Sequence, residues 1–405
     1  MANSALTLHG PIGVQDNRNE LINGDFNIWQ RGVTASVGVT GKASTTCLQN
    51  SFVADRWRVY SQAVNGVTAP PLSIFRGLMP LGYPSGADRA SKWYLNIYVG
   101  NTVDAMGSHV VDGAATAFAS YGGFTGAGAT TNGTYLALVQ DIDDVQTLEG
   151  KTCILSFWAK SDISNQRVAP VLKQCFAGRT AGDTPSLIKG STGNTGFTLD
   201  NTWRQYKTSF NVPSVEGQPA VGTSGDDALQ VQLVLHSNGV HGASMELGGP
   251  SEAAALGNIS FSQIQLEQGS RSTEFDKTNP MTEIALCQRY YEKSYNLDTT
   301  PGSTVPYTED PGGYARENIQ LFHPYADTTA KSAKVEFRVS KRKEEPTIEI
   351  WSSRGVIGKG SNETTDAVIY ATGIGQHGFH MASVYATGWH FFHYTSNAEL
   401  TVDTN

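Results

Sequence analysis

ALQVQLVLH, residues 228–236, decides the fold class. Leu229, Val231, Leu233 and Leu235 fall on one side of an extended chain, and Gln230, Gln232 and His236 on the other. A side-chain period of two is that of a β-strand with one apolar and one polar face. Segments of the same character recur at 57–62, 92–99, 134–142, 152–160, 204–212 and 258–266, punctuated by Gly, Pro, Asn and Asp. So many strands need two packed sheets, and the sequence predicts an all-β jelly-roll β-sandwich over residues 21–278.

Composition supports that class. The 405 residues include 43 Gly and 16 Pro, material for tight turns rather than helical bundles. Aromatic residues at 10% are enough for a real core. Lys plus Arg number 29 against 37 Asp plus Glu, a net charge of −8, which argues against a nucleic-acid partner. No apolar run approaches the roughly 18 residues of a membrane helix, so no membrane insertion is expected. The opening residues MANSALTLHGPIGVQDN lack a basic region followed by a long apolar one, unlike a secretory signal. Cys47, Cys153, Cys175 and Cys287 are widely spaced with no CxxC pair. They fit buried thiols or one Cys153–Cys175 disulfide, and not zinc.

Residues 1–20 carry few large apolar side chains and are expected to be an arm that orders only on a partner. Residues 112–133 are a glycine-rich stretch expected to be a long loop. Residues 279–296 predict a connecting helix, centred on 281–293. Pro280 suits its first turn or Thr282 its cap, and Ile284, Leu286, Cys287, Tyr290 and Tyr291 form its apolar stripe. Residues 297–405 predict a second, smaller β domain, with alternation at 334–343, 346–353 and 366–374. Its last segment, 380–400, has Tyr385, Trp389, Phe391, Phe392 and Tyr394 but a single formal charge, Glu399. Aromatic side chains on both faces of an edge strand call for a neighbouring chain, so an oligomer is expected.

Several phrases then carry a resemblance. LINGDFNIWQRG (21–32), ADRWRVY (54–60), LSFWAKS (155–161), TWRQYKTSFNVPS (202–214), ISFSQIQLEQGSRSTEF (259–275) and EIALCQRYYEKSYN (283–296) resemble tail-fibre and receptor-binding proteins of tailed bacteriophages. FRVSKRKEEPTIEIWSSRG (337–355) and FFHYTSNAEL (391–400) are similar to the C-terminal parts of those proteins. The first five also look like jelly-roll carbohydrate-binding modules. KRKEEP (341–346) departs from the usual pattern by grouping five charges, either a solvated turn or an ion cluster between subunits.

The resemblance implies a virion tail protein made in the host cytoplasm, attached to other tail proteins through residues 1–20. It implies a homotrimer that binds host surface polysaccharide without cleaving it. A purely structural tail or capsid-decoration protein is the alternative, and a polysaccharide-degrading tailspike a further one. Neither a nucleotide loop nor GxSxG is present. No β-helix repeat of the tailspike kind is visible, and Asp141, Asp143 and Asp144 sit at a strand end before a turn, as a loop or a calcium-type oxygen site rather than a catalytic pair. His377, His380, His390 and His393 are three residues apart within each pair, which in a strand places them on opposite faces.

Sugar recognition needs flat apolar rings beside amide or carboxylate groups. Trp158 is the first candidate, either on an outer face with Lys160 or as a core aromatic under a loop. Gln140, Gln230 and Gln232 are candidates for the same concave face, although Leu136 and Leu138 share the register of Gln140. Trp93, Tyr94, Tyr98 and Tyr121 complete the aromatic set. Similar modules hold a structural calcium near the first strand, for which Asn23, Asp25 and Glu267 are the natural oxygen donors. The same Asn-Gly-Asp also makes a tight turn without metal.

Overall fold

A computed structural model describes residues 18–37, 51–64, 72–84, 87, 90–99, 133–176, 186–189, 196–216, 227–237, 257–303, 320–322, 333–361, 365–383 and 390–400. Residues 1–17, Cys47, the stretch 100–132 with Tyr121, and residues 384–389 with Tyr385 and Trp389 lie outside that set.

The chain folds as antiparallel sheets with a single short helix among the described residues. One sheet has six strands: β1 (Thr34–Val37), β4 (Leu72–Leu78), β5 (Trp93–Val99), β13 (Gly257–Gln268), β7 (Thr152–Ser161) and β11 (Arg204–Asn211), in that spatial order. The sheet packed against it runs β10 (Phe197–Thr198), β8 (Arg167–Cys175), β12 (Ala228–Ser237), β6 (Gly133–Asp143), β3 (Arg58–Val64) and β2 (Ser51–Phe52), with β9 (Ser186–Lys189) on the edge of β8. Together they make the expected jelly-roll sandwich. Leu229, Val231, Leu233 and Leu235 all enter the core between the sheets, against Phe157, Phe261, Trp29 and Trp57. Each such side chain contributes about 1.5–3 kcal/mol of burial. A register shift between Val234 and His236 marks a bulge in β12.

The polar side of the same strand is not solvated. Gln230 and Gln232 are fully buried on the outer face of their sheet. Buried amides need partners, and these have them. Arg58 Nη2 donates to Asp141 Oδ2 at 2.8 Å, and Gln230 Nε2 donates to Asp141 Oδ1 at 2.7 Å. Gln232 donates to Gln230, and the Tyr135 hydroxyl donates to Gln232.

Two three-residue stretches limit the flanking elements differently from the sequence reading. Glu20 N donates to Leu266 O and Arg18 N to Asp276 Oδ2, so residues 18–20 lie along β13 rather than in a free arm. The helix, α1, covers only Pro280–Gln288. Asn279 caps it by accepting from Met281 N at 2.9 Å, with Pro280 at the first turn, and Thr282 is not the cap. Beyond Arg289 the chain turns into strand β14 (Tyr291–Lys293). Two adjacent tyrosines suit a strand better than a helix end, and pairing with β22 (His390–Asn397) decides the matter.

β22 is the organising strand of the C-terminal region. It pairs with β14, β15 (Gln320–Phe322), β17 (Thr347–Ser352) and β18 (Lys359–Ser361), and β19 (Asp366–Val368) extends the sheet from β18. A three-stranded sheet, β16 (Ala333–Glu336), β21 (Gly378–Ala382) and β20 (Tyr370–Gly375), packs beside it around Phe379, Met381, Phe392 and Tyr394. The aromatic segment is therefore central, not an edge, and its own chain covers it. The premise for burying it between subunits does not hold for residues 390–397.

Charged residues of the sandwich hold the C-terminal region in place. Arg31 reaches Asp55 at 3.2 Å and Glu399 at 3.1 Å, and Arg56 pairs with the other oxygen of Glu399. The Arg56 guanidinium lies 3.4 Å from the Tyr290 ring centroid, and Arg31 lies 3.7 Å from that of Tyr291. Asp143, at the end of β6, accepts from Tyr290 Oη at 2.8 Å and from Arg342 Nε at 2.9 Å. KRKEEP is thus neither a wholly solvated turn nor, at its first two residues, a contact between subunits. Lys341 is buried, Arg342 binds Asp143, and only Lys343, Glu344 and Glu345 are exposed.

Candidate functional site

The outer face of the six-stranded sheet carries a group of aromatic and polar side chains, buried at Asn96, Trp158, Ser260 and Ser262 and open to solvent toward Trp203, Gln205 and Lys207. Strand register aligns Gly77, Tyr94, Ser262, Trp158 and Gln205 across β4, β5, β13, β7 and β11. The next row includes Asn96, Ser260 and Lys160. Gly77 explains the position of Tyr94. A Cβ on Gly77 would stand 2.1 Å from Tyr94 Cζ, so the phenol end of the ring lies directly on the glycine. Trp203, just before β11, meets Tyr94 edge-on, with centroids 5.5 Å apart and planes at 75°. Lys160 Nζ stands 5.4 Å from the Trp203 ring and 6.0 Å from the Tyr94 ring.

The turn carrying Trp203 is tied down on several sides. Ser161 N donates to Asp200 O at 2.8 Å, the Tyr206 hydroxyl accepts from Asp200 N at 3.0 Å, and Arg204 pairs with Asp200 at 2.7 Å. Burial pushes the Tyr94 phenol above its usual pKa. The result is a corner: Tyr94 as floor, Trp203 as wall, and an ammonium where they meet. Tyr94, Lys160 and Trp203 are half-buried, and Gln205 and Lys207 are exposed beside them.

The sequence candidates do not gather at one place. Trp158 lies on this outer face in register with Gln205, but only 7% of it is exposed. Trp93 belongs to the opposite alternation of β5, and Arg76 stands 4.2 Å from its ring centroid. Gln230 and Gln232 are on the other sheet, in the buried network described above. Gln140 leaves them altogether. It accepts from Ile22 N at 2.8 Å and donates to Ile22 O at 2.9 Å, clamping the first described segment. Leu136 and Leu138 share its side of β6, which is the core side. Tyr121 lies outside the described residues. Trp203 was missed, although Trp203, Gln205 and Lys207 follow the period of two that signals one strand face.

Asn23, Asp25 and Glu267 are each engaged by protein donors. Asn23 Oδ1 accepts from Ile28 N at 3.0 Å, Asp25 accepts from Asn27, and Glu267 takes Thr273 N and Thr273 Oγ1, each at 2.7 Å. Asn23 has a positive φ of 58°, as the turn reading of Asn-Gly-Asp requires. Among the described residues no three His, Cys, Asp or Glu side chains gather as a metal site. Each of the three thus has at least one oxygen engaged by an N–H or O–H group of the protein.

Of the remaining candidates, the three aspartates and two of the four histidines have protein partners. Asp141 and Asp143 hold Arg58 and Arg342, and Asp144 caps Gln146 N at 2.8 Å. His393 is buried, stacked on Tyr295 at 3.9 Å and bonded to Ser294 Oγ at 3.0 Å, while His377 bonds Ser340 Oγ at 2.9 Å. Cys153, Cys175 and Cys287 are buried thiols, so the Cys153–Cys175 disulfide is absent. No helix of the described residues is long and apolar enough to cross a membrane.

No protein family and no curated protein matches the chain. Among solved structures, part of the chain is similar to the enzymatically active domain of tailspike protein 4 of bacteriophage CBA120 (TM-score 0.30, 11% identity). That match covers 62% of this chain and 22% of the tailspike chain, so this chain spans less than a quarter of its length. It is also similar to the N-terminal cellulose-binding domain of Cellulomonas fimi beta-1,4-glucanase C (TM-score 0.25, 14% identity, 53% of this chain and 90% of that one). A third is the family 11 carbohydrate-binding module of a Clostridium thermocellum cellulosomal cellulase (TM-score 0.25, 11% identity, 56% and 99%).

Proposed function

We propose that this chain is a bacteriophage tail protein whose sandwich binds host surface polysaccharide without cleaving it. The observation that carries the reading is the Tyr94–Trp203–Lys160 corner: two half-buried rings and a cation fixed on the flat face of a sheet. Rings give a sugar an apolar surface, and the rigid turn lowers the entropy lost on binding. The resemblance of LINGDFNIWQRG, ADRWRVY and ISFSQIQLEQGSRSTEF to phage fibres supports the virion setting. In that setting residues 1–17 attach to a neighbouring tail protein and copies assemble as a homotrimer.

Binding of host surface polysaccharide is the test, with Trp203→Ala and Trp158→Ala as variants. The reading expects retention by the wild-type chain, marked loss in Trp203→Ala, little loss in Trp158→Ala, and unchanged polymer length. A purely structural role is the second reading, favoured by one observation. The face bearing Gln230, Gln232 and Asp141 is buried and its hydrogen bonds are internal. Absence of binding to any host surface preparation selects that role, and shortening of the polymer selects a tailspike-like enzyme.

A further inference from the structure

We infer that the Tyr94–Trp203–Lys160 corner is built for an anionic saccharide, with a sugar ring over Tyr94 and its acidic group on the Lys160 ammonium. The inference rests on the glycan-binding reading and adds the chemical class of the ligand. Its motive is a cation left over. The nearby arginines, Arg204 and Arg76, lie on the opposite alternation of β11 and β4 and are spoken for, holding Asp200 at 2.7 Å and Asp298 at 2.9 Å. Asp162, two residues beyond Lys160, accepts from the backbone and side-chain amides of Asn258. Among the described residues no carboxylate comes within ion-pair distance of Lys160 or of exposed Lys207.

Lys160 is also positioned, not merely present. Its ammonium stands near the junction of two rings, where their faces attract a cation. Being half-buried, it is less screened than a charge in open water. A neutral sugar offers that ammonium only uncharged oxygens. A carboxylate, sulfate or phosphate gives a charge-assisted hydrogen bond about twice as strong. The net charge of −8 does not oppose this at contact range, because fields beyond about 8 Å are screened at physiological salt.

An array of neutral, uronic-acid, sulfated and phosphorylated glycans tests the inference at low and high salt. Binding is expected to the anionic glycans alone, weakening as salt rises, and the three acidic arms identify which group the site takes. Lys160→Gln should weaken anionic binding roughly tenfold and flatten its salt dependence, while Lys160→Arg restores most of it. Lys160 is not a core residue, so an unchanged melting temperature is the control for folding. Neutral glycans bound as tightly as anionic ones, or anionic affinity unchanged in Lys160→Gln, would overturn the inference and leave glycan binding standing. An array with no bound glycan would overturn both.

Discussion

Lys341 and Glu292 form an ion pair at 2.6 Å with neither side chain exposed to solvent. Glu292 also accepts from the Tyr394 hydroxyl at 2.8 Å and from Arg338 N at 3.1 Å, and Lys341 donates to Gln288 O at 2.6 Å. Breaking such a pair on one side leaves a buried charge without compensation. Lys341→Met should therefore cost about 3–5 kcal/mol in denaturant unfolding of the C-terminal region. Adding Glu292→Gln should recover part of that loss. Strictly additive single and double variants would show that the two groups do not act as a unit.

Deleting residues 380–405 is predicted to unfold the C-terminal region rather than only separate subunits. The deletion removes β22 and with it the pairing partner of β14, β15, β17 and β18. Loss of β-sheet circular dichroism beyond the share of the deleted residues is the expected readout. A truncated protein with intact protease resistance over 297–379 would contradict it.

Glu283 gives a pH prediction. Burial, with a further push from Asp25, raises its carboxyl pKa above the ordinary value, although Asn23 N donates to it. In the window between its unfolded pKa, about 4.3, and the raised folded value, the native chain holds more protons than the unfolded one. Its contribution to stability is thus present in acid and lost as pH rises through that window. Glu283→Gln removes the ionisation but keeps an acceptor for Asn23. The variant should be the more stable protein near pH 7, with an advantage that shrinks toward pH 4. Thermal melts across that range decide it, and a constant difference between variant and wild type would refute the assignment.

Gly77→Ala should act on ligand binding more than on folding. Its Cβ would collide with the end of the Tyr94 ring, a side chain that can swing outward. Glycan affinity should fall about as far as in Trp203→Ala, with a small change in melting temperature. An affinity equal to wild type would mean that the floor of the corner is not used.

The sandwich was legible because its signal is local. The alternation of 228–236 reports on which residues face the core without reference to the rest of the chain, and Leu229 through Leu235 obey it. What covers the opposite face is not local information, so the burial of Gln230 and Gln232 was invisible. The same holds for β22, whose partners come from separate segments with no common spacing. Helix α1 was found but extended too far, since Arg289–Lys293 has helix-compatible residues and only β22 makes the last three of them a strand. At the candidate site Trp158 drew attention by its neighbours, whereas Trp203 sits in a turn before its strand begins.

The pair of Arg56 with Glu399 sets a timetable for synthesis. The partners are 343 residues apart, and Arg56 is almost wholly buried. At translation speeds of about 5–20 residues per second, Glu399 follows Arg56 off the ribosome by roughly 20 to 70 s. During that interval the nascent sandwich must leave the Arg56 guanidinium open to water or bury it without Glu399. The ion-paired closure around this arginine therefore waits until Glu399 has emerged, and a nascent chain stalled before Glu399 should be cut by protease at this junction where the released protein resists.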